Sequence, residues 1–322
     1  MIIQRHGEAP NFVYKQPNGA EIKDSKILEY VRGLVIPPKY KNVQIYVSQR
    51  AGVPCAPPKL TYTGEDEAGR IQYGYSAQWK TKVSKAKFAA LTKFGQILPM
   101  VRKEIHNILS RAEPGQQFNI ALIMRIVDLC HFRIGNFKYR DLYNSYGVST
   151  LEARHLKFSN SADASVRIKF IGKKGVDNEC RITDPEIVGH LKKLSAGKKP
   201  RQLLFTHNDC GVKATDINDW LRQFGADITS KMFRTYATNV ILIELLRAAP
   251  NPNDMTAAAR KRQLNSVLDQ TSGLVHNTRA VCKKEYAHPD LIEMYLDHPR
   301  RYNKLFMGDL EPAAAFLTYL RR

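Results

Sequence analysis

The sequence predicts an α+β protein made of a small, mostly β N-terminal domain and a larger, mainly α-helical domain that contains a small antiparallel sheet. Three observations predict this class. Short runs of alternating apolar and polar residues fill the start of the chain, helix-like patterns follow from residue 79, and alternating segments return between residues 154 and 182. We place the boundary so that residues 1–82 form the first domain and residues 83–322 the second.

The first domain is predicted to consist of short strands divided by turns. Residues 12–19 (FVYKQPNG) alternate and end in a Pro-Asn-Gly turn, and residues 42–49 (NVQIYVSQ) alternate again. Residues 59–76 form a hairpin around a polar, glycine-containing loop, and a small helix is expected at residues 25–33. The N-terminal domain is therefore a β module with one helix.

Two tyrosines on the last predicted strand, Tyr73 and Tyr75, share one face because strand side chains alternate with a period of two. With Arg70 nearby, this face is suited to contact the backbone or base edges of DNA. Ordinary cross-strand aromatic packing is the alternative.

The second domain begins with helical patterns. A basic helix is predicted over residues 79–93, a further one over 97–109, and an almost wholly apolar one over 119–132 (NIALIMRIVDLCHF), which should lie in the core. Arg133 follows the apolar helix at once. Because a buried charge is costly without a partner, Arg133 is expected to meet either an acidic residue or an anionic ligand.

A small antiparallel sheet is predicted from residues 154–158, 166–171 and 176–182, with a tight turn at residues 172–175 (GKKG). Lys173 on this turn is either a solvated surface lysine or a movable cation that can enter a DNA groove. The turn is not a phosphate-binding loop of the G-x-x-x-x-G-K-[ST] type, which is absent from the sequence.

From residue 184 onward the chain is predicted to be helical. Thr229 or Ser230 can cap a helix that carries Arg234 near its start, where free backbone N–H groups favour an anion. Near the C-terminus, residues 274–289 (LVHNTRAVCKKEYAHP) place Tyr286 on a short helix behind several cations. This pattern suggests a tyrosine nucleophile and an anionic substrate, or else a half-buried surface tyrosine.

Composition narrows the functional classes. Lysine and arginine number 50 against 30 acids, a net charge of +20, so we expect either a nucleic-acid partner or a merely basic protein. The longest apolar run is too short to span a membrane, and the N-terminus lacks an apolar signal core, so no export is expected. The five cysteines are scattered and form no C-x-x-C pair, which predicts neither a disulfide framework nor a zinc site, but reduced thiols inside a cell.

Several segments, in order, resemble the type IB DNA topoisomerases, in the short form of poxviruses, some giant viruses and bacteria. The N-terminal segments are FVYKQPNGAEIKD, IPPKYKNVQIY and GEDEAGRIQYGYSAQW. The later segments are RIGNFKYRDLYNSYGVSTL, KFIGKKG, KMFRTYATN and AVCKKEYAHP. The similarity covers nearly the whole chain, and it implies two lobes that close as a C-clamp around duplex DNA.

The resemblance also implies roles for individual residues. The nucleophile falls on Tyr286, the two transition-state arginines on Arg133 and Arg234, and the general-acid lysine on Lys173. A fifth position falls on Asn277, with the adjacent His276 as the alternative. The positions that match DNA contacts or further site groups of the family are Arg70, Tyr73, Tyr75, Asn136, Lys138, Tyr139, Lys231 and His276.

The implied activity is relaxation of supercoiled double-stranded DNA through a transient 3′-phosphotyrosyl bond, without ATP, nucleotide, metal or another cofactor. Cationic side chains suit this reaction because they can stabilise a phosphorane and protonate the departing oxygen. We expect a monomer with no membrane partner, located in the bacterial cytoplasm or, for a viral source, in the virion or the infected-cell cytoplasm.

Two other readings remain at this point. A tyrosine recombinase shares the catalytic domain, but usually carries His-x-x-Arg where this chain has Lys231 and Arg234, and usually begins with a helical arm. A noncatalytic DNA-packaging protein would bind DNA through its charge alone, and the full set of charged and nucleophilic positions argues against it.

Overall fold

The computed structural model describes residues 1–50, 53–159 and 164–322, and these form two compact units, Met1–Phe88 and Ala89–Arg322. Strands dominate the first unit and helices the second, so the predicted α+β class is confirmed. The division between the units lies within one long helix, which also contains the predicted domain boundary at residue 82. That boundary stays a prediction.

The described part of the first unit contains an antiparallel sheet, the helix α1 (Ser25–Gly33) and the beginning of a long helix that continues into the second unit. Its strands are β1 (Ile2–His6), β2 (Val13–Lys15), β3 (Lys41–Tyr46), β4 (Ser48–Arg50), β5 (Val53–Cys55), β6 (Leu60–Glu65) and β7 (Ile71–Tyr75). Five of them pair in the order β2-β1-β3-β6-β7, whereas β4 and β5 pair only with each other. The predicted hairpin corresponds to β6 and β7, and the predicted helix to α1, so both are confirmed.

The core of the first unit lies between the sheet and α1. Buried Ile3 and Ile45 from the strands pack with Ile27 and Val31 of the helix. The helix begins where it does because Asp24 accepts hydrogen bonds from two backbone N–H groups of its first turn. Burial of these apolar side chains is the main favourable free energy that holds the unit together.

Helices build most of the second unit. They are α2 (Ala77–Arg111), α3 (Gln116–Cys130), α4 (Phe137–Tyr143), α5 (Pro185–Ser195), α6 (Ala214–Arg222), α7 (Ser230–Arg247), α8 (Ala257–Leu274), α9 (Arg279–Val281), α10 (Pro289–Asp297), α11 (Pro299–Phe306) and α12 (Pro312–Leu320). Two separate helices were predicted over residues 79–109, but α2 runs through both, with Pro99 inside it. None of the helices in the described part of the chain is both long and apolar enough to span a bilayer.

Two buried helices fix the positions of later importance. Helix α7 contacts α3, α8 and α12, and its Leu242, Ile243 and Leu246 are fully buried. Helix α3 is apolar on nearly all sides, as predicted, and ends at His131 in a left-handed conformation (φ 55°). This reversal directs the chain out of the core just before Arg133.

The second unit also contains the predicted small sheet. Its strands are β8 (Leu156–Phe158), β9 (Val166–Ile171) and β10 (Asp177–Ile182), in the order β10-β9-β8, and a two-residue pair β11 (Thr206–His207) and β12 (Cys210–Gly211) lies apart from it. The β9–β10 turn contains Lys174 (φ 65°) and Gly175 (φ 73°), both left-handed, which confirms the predicted tight turn.

The expectation of reduced thiols was wrong for one pair of cysteines. Cys130 at the end of α3 and Cys180 on β10 form a disulfide, although they are 50 residues apart in sequence. Spacing along the chain could not indicate this pair, because only the tertiary packing of β10 beside α3 brings the two Cα atoms to 5.7 Å. Cys55, Cys210 and Cys282 are free.

Candidate active site

One cleft of about 880 Å³ in the second unit collects the side chains that the sequence singles out. All five predicted catalytic residues line it, and they are Arg133, Lys173, Arg234, Asn277 and Tyr286. Lys231 and His276, which were predicted among the DNA contacts, line it as well. The cleft therefore gathers groups from the segment after α3, the β9–β10 turn, α7 and the segment after α8.

Tyr286 is the last residue of a single π-helical turn, Cys282–Tyr286, which follows α9. Such turns are rare and occur frequently at functional sites. The phenol is only 5% exposed, and its oxygen accepts a hydrogen bond from Nη2 of Arg133 at 3.4 Å. The guanidinium of Arg234 lies 5.4 Å from the ring centroid.

Electrostatics favour the ionised form of this phenol. Burial by itself raises the pKa of Tyr286, but the positive charges of Arg234 and Arg133 outweigh it, and the pKa is below the ordinary value of 10.0. Lys231 acts in the same direction. The tyrosine is thus an easier nucleophile to generate than a phenol in water.

Arg234 lies near the start of α7 and is only 2% exposed. Its Nη2 donates to the backbone oxygen of Val275 at 2.7 Å, whereas Nε and Nη1 have no hydrogen-bond partner among the described residues. Burial lowers the pKa of Arg234 to about 10, so the group stays protonated at neutral pH. A buried cation with two unpaired donors is suited to bind an anion.

Arg133 forms no salt bridge with the described acidic residues, so the acidic partner that the sequence allowed is not found there. Its guanidinium instead donates to the side-chain oxygen of Asn277, to the backbone oxygen of His276 at 3.4 Å, and to Tyr286. The amide nitrogen of Asn277 is buried and has no partner in the described part of the chain. It is a further donor beside the phenol.

His276 has a different environment from Asn277. Its ring packs against Phe132, with 4.8 Å between the ring centroids, and its Nε2 lies 3.1 Å from the backbone oxygen of Cys130. Burial is the largest cause that lowers the pKa of His276, to about 4, and the charge of Arg234 adds to it. The ring is therefore neutral at neutral pH and is engaged with protein groups.

Lys173 approaches the cleft from the β9–β10 turn. Its side chain is exposed and lines the cleft, as does that of Lys174. An exposed lysine on a short turn keeps several rotamers, so it can adjust its position to a bound substrate.

Sequence reasoning missed Asn239, which is fully buried on α7. Its amide nitrogen donates to the backbone oxygen of Tyr286 at 3.0 Å, and its side-chain oxygen accepts from the N–H of His288 at 2.7 Å. The residue therefore holds the backbone that directly follows the candidate nucleophile. The signal was present as one carboxamide at the start of a mostly apolar helical run (NVILIELL).

The predicted DNA contacts outside the cleft lie on two elements. In the first unit, the rings of Tyr73 and Tyr75 stack with 6.3 Å between centroids, Tyr73 is 55% exposed, and Arg70 is paired with Asp66 at 2.7 Å. In the second unit, Lys138 and Tyr139 are exposed at the start of α4, and Asn136 caps that helix through its side chain.

Among the described residues, no group of three or more His, Cys, Asp or Glu side chains is arranged to hold a metal ion. The groups that converge in the cleft are cationic or amide donors. They are suited to a negatively charged substrate.

Comparisons with known proteins agree with this chemistry. The family described as eukaryotic DNA topoisomerase I, catalytic core, matches residues 76–307, and the N-terminal domain of bacterial DNA topoisomerase IB matches residues 11–53. DNA topoisomerase 1B of Acanthamoeba polyphaga mimivirus is 26% identical over 306 residues, which cover 92% of this chain and 88% of that protein.

Two further relatives extend the comparison. DNA topoisomerase 1B of Vaccinia virus (strain Copenhagen) is 22% identical over 282 residues, or 85% of this chain and 83% of that protein. DNA topoisomerase 1 of Caenorhabditis elegans is 29% identical over 175 residues, or 51% of this chain and 21% of that protein. Because the match to the catalytic core extends over most of this chain, the chain belongs to the type IB DNA topoisomerase family.

Proposed function

We propose that the protein relaxes supercoiled duplex DNA through a 3′-phosphotyrosyl intermediate, without ATP and without a metal ion, and that it acts as a monomer. The observation that carries this proposal is Arg234, a buried cation beside the Tyr286 phenol with two unpaired N–H groups. A DNA phosphodiester supplies the anionic oxygens that these donors require.

The proposed reaction is a transesterification. The phenol of Tyr286 first gives its proton to water, the resulting phenolate oxygen attacks the phosphorus to form a new P–O bond, and the bond from phosphorus to the 5′ oxygen breaks. Arg133, Arg234 and the Asn277 amide stabilise the extra negative charge of the phosphorane. Lys173 protonates the departing 5′ oxygen, which is otherwise a poor leaving group.

One phosphodiester replaces another, so the step is close to energetic balance and can reverse without a nucleotide. While the phosphotyrosyl bond persists, the free strand can rotate about the intact one and relax supercoils of either sign. The three cations supply the charge stabilisation, which is the basis for proposing that a metal ion is not required.

The proposal includes DNA contacts on both units. Tyr73 and Tyr75 are suited to DNA because they offer a stacked, partly exposed aromatic face, and Lys138 and Tyr139 because they are exposed next to the cleft-lining Arg133 segment. Arg70, Asn136 and Lys231 complete the proposed set, whereas the ring of His276 is engaged with Cys130 and Phe132 and is left out of it. We further propose that the protein works where its DNA lies, in a bacterial cytoplasm or, for a virus, in the virion or infected-cell cytoplasm.

The test is a denaturing gel of protein incubated with a suicide duplex substrate in EDTA. Wild type should form a covalent adduct, and Tyr286→Phe should form none while it still binds DNA noncovalently. Relaxation of a plasmid without recombination sites separates this activity from that of a recombinase. Retained relaxation by Tyr286→Phe, or a strict need for ATP, would refute the proposal.

A further inference from the structure

The segment Val275–Asn277 connects the two arginines of the cleft. The backbone oxygen of Val275 accepts from Arg234, and the backbone oxygen of His276 and the side chain of Asn277 accept from Arg133. Three consecutive residues thus determine where both guanidinium groups point. Whatever fixes this segment also fixes the cationic half of the site.

The middle residue of the segment has an uncommon backbone conformation. His276 has φ 52°, in the left-handed region that residues other than glycine seldom occupy. Such a conformation is strained and persists only where the surroundings determine it. The side chain shows what those surroundings are.

The imidazole of His276 joins the segment to the end of α3. Its Nε2 lies at hydrogen-bond distance from the oxygen of Cys130, and its ring rests on Phe132, which in turn packs against Phe170 of β9 with 4.9 Å between centroids. Cys130 and Phe132 lie three residues and one residue before Arg133. The His276 ring therefore contacts the residues just before Arg133, while the backbone oxygen of the same His276 accepts a hydrogen bond from Arg133.

We infer that His276 is a positioning residue for Arg133, and that it holds the guanidinium toward the phosphate rather than contacting the phosphate itself. This inference rests on the proposed function. A nitrogen that bonds to Cys130 and a ring face that lies on Phe132 are both occupied by protein. The neutral state of the ring agrees with this role.

Two substitutions separate the anchor from the backbone requirement. Glutamine places its amide nitrogen near the position of Nε2, so His276→Gln can keep the hydrogen bond to Cys130. Asparagine tolerates the left-handed conformation but its amide is too short to reach that oxygen. Single-turnover formation of the covalent adduct should fall about tenfold in His276→Asn, within the range for groups that orient a functional residue, and less in His276→Gln.

The deciding measurement repeats His276→Asn in an Arg133→Ala background. If His276 acts through Arg133, the further loss should shrink to threefold or less, because the group that it positions is gone. The same tenfold loss in both backgrounds would overturn the inference and indicate an independent contact of the ring with DNA. Equal rates for His276→Gln and His276→Asn would overturn it as well.

Two controls keep the outcomes distinct. Noncovalent DNA binding and the unfolding temperature should stay close to wild type in His276→Asn, and a loss of rate that follows a loss of folding would contradict a positioning role. If wild-type protein forms no covalent adduct, the proposed function itself fails, which is a different result from a failed coupling between His276 and Arg133.

Discussion

Arg234 combines deep burial with an incomplete set of hydrogen bonds. A buried charged donor without a partner costs free energy, and in Arg234 two N–H groups are in that state beside Tyr286. A bound phosphate would accept hydrogen bonds from these N–H groups, which removes the cost, and its negative charge would be attracted to the guanidinium. The substrate-free arrangement of Arg234 therefore has a higher free energy than the substrate-bound one, as expected for a preorganised site.

The first prediction concerns this guanidinium. Arg234→Ala should slow single-turnover cleavage about 100- to 1000-fold, the usual cost of removing one donor from a developing anion. Arg234→Lys should recover only part of the loss, since a lysine lacks the planar fork. Arg222→Ala is a matched control, because Arg222 is an exposed arginine of α6 paired with Asp219, and it should leave the rate unchanged. Similar losses in both variants would show that net charge alone matters.

A second prediction at this scale concerns acid stability. Burial lowers the pKa of both His155 and His276 to about 4, against an ordinary value of 6.5. Below pH 6.5 these two histidines bind protons in the unfolded chain but not in the folded one. The free energy of unfolding should therefore decrease as the pH falls from 6.5 to 4. Nearby positive groups also lower these two pKa values. They are Arg234, His131 and Arg133 for His276, and Arg154 for His155.

Urea unfolding at pH 7 and at pH 5 measures this effect. His155→Gln should narrow the difference between the two midpoints, because one imidazole whose pKa is lowered by burial is removed. His298→Gln is a control at an exposed histidine. An unchanged difference in His155→Gln would contradict the assignment of that histidine to the buried, neutral group.

At the scale of elements, α7 and the π turn after α9 are joined through one side chain. Asn239 bonds to the backbone oxygen of Tyr286 and to the backbone N–H of His288, so the position of the phenol depends on a helix residue that lies 47 positions earlier in the chain. A third prediction follows for Asn239→Leu. This substitution should slow cleavage at least tenfold and lower the stability of the protein, because the backbone oxygen of Tyr286 and the backbone N–H of His288 lose their hydrogen-bond partner.

Asn218→Ala provides the matched control for that change. Asn218 accepts a hydrogen bond from the N–H of Ser230 at the start of α7, so its loss should weaken the same helix without releasing Tyr286. Comparable cleavage defects in the two variants at equal stability would mean that α7 as a whole, and not its contact with the π turn, positions the nucleophile.

The fourth prediction concerns the β9–β10 turn. Lys173→Ala should slow cleavage about 100- to 10,000-fold, the range for loss of a general acid. With a substrate whose 5′ oxygen is replaced by sulfur, the 5′ thiolate can leave the phosphorus without being protonated. This substrate should therefore restore most of the cleavage rate of Lys173→Ala. Lys169→Ala changes the same charge on β9, where Lys169 pairs with Glu179, and should have little effect on either substrate. A defect that the sulfur substrate does not relieve would exclude the acid role.

The elements themselves were predictable where one local pattern decides the structure. Alternation predicted β6, β7 and the three strands of the small sheet, and a continuous apolar run predicted α3. The single helix α2 was predicted as two separate helices, over residues 79–93 and 97–109, whereas the structure continues the helix through residues 94–96 and keeps Pro99 inside it. Strands β4 and β5 have only three residues each, and β1 (IIQRH) does not alternate between apolar and polar residues, so none of the three gave a pattern.

The residues of the site divide in the same way. Motifs placed Arg133, Lys173, Arg234, Asn277 and Tyr286, and the cleft brings all five together. Asn239 and the Cys130–Cys180 pair could not be found, because their partners are far away in sequence and only the tertiary structure brings them into contact. Every residue type carries a backbone oxygen, so the sequence does not indicate which of them accepts a hydrogen bond from a side chain. The link from Cys130 through His276 to Arg133 could not be predicted for this reason.

At the scale of the whole molecule, a net charge of +20 dominates the approach to DNA. The fifth prediction is that the DNA-binding constant falls steeply with salt, with a logarithmic slope of about −0.9 for each phosphate contacted. Lys138→Ala should weaken binding to all sequences and reduce the slope by about one. Lys39, already balanced by Glu67 at 2.9 Å, is the control, and Lys39→Ala should change the slope less. A slope near zero would show that the charge does not act on DNA.

The Cys130–Cys180 bond gives the chain a topology that the sequence does not suggest. It closes a ring of backbone that contains both Arg133 and Lys173, the first and second of the candidate cations. A protease that cuts this ring once would leave two fragments still joined by sulfur. The nicked protein would migrate as a single band on a gel without a thiol and as two bands once a thiol is added.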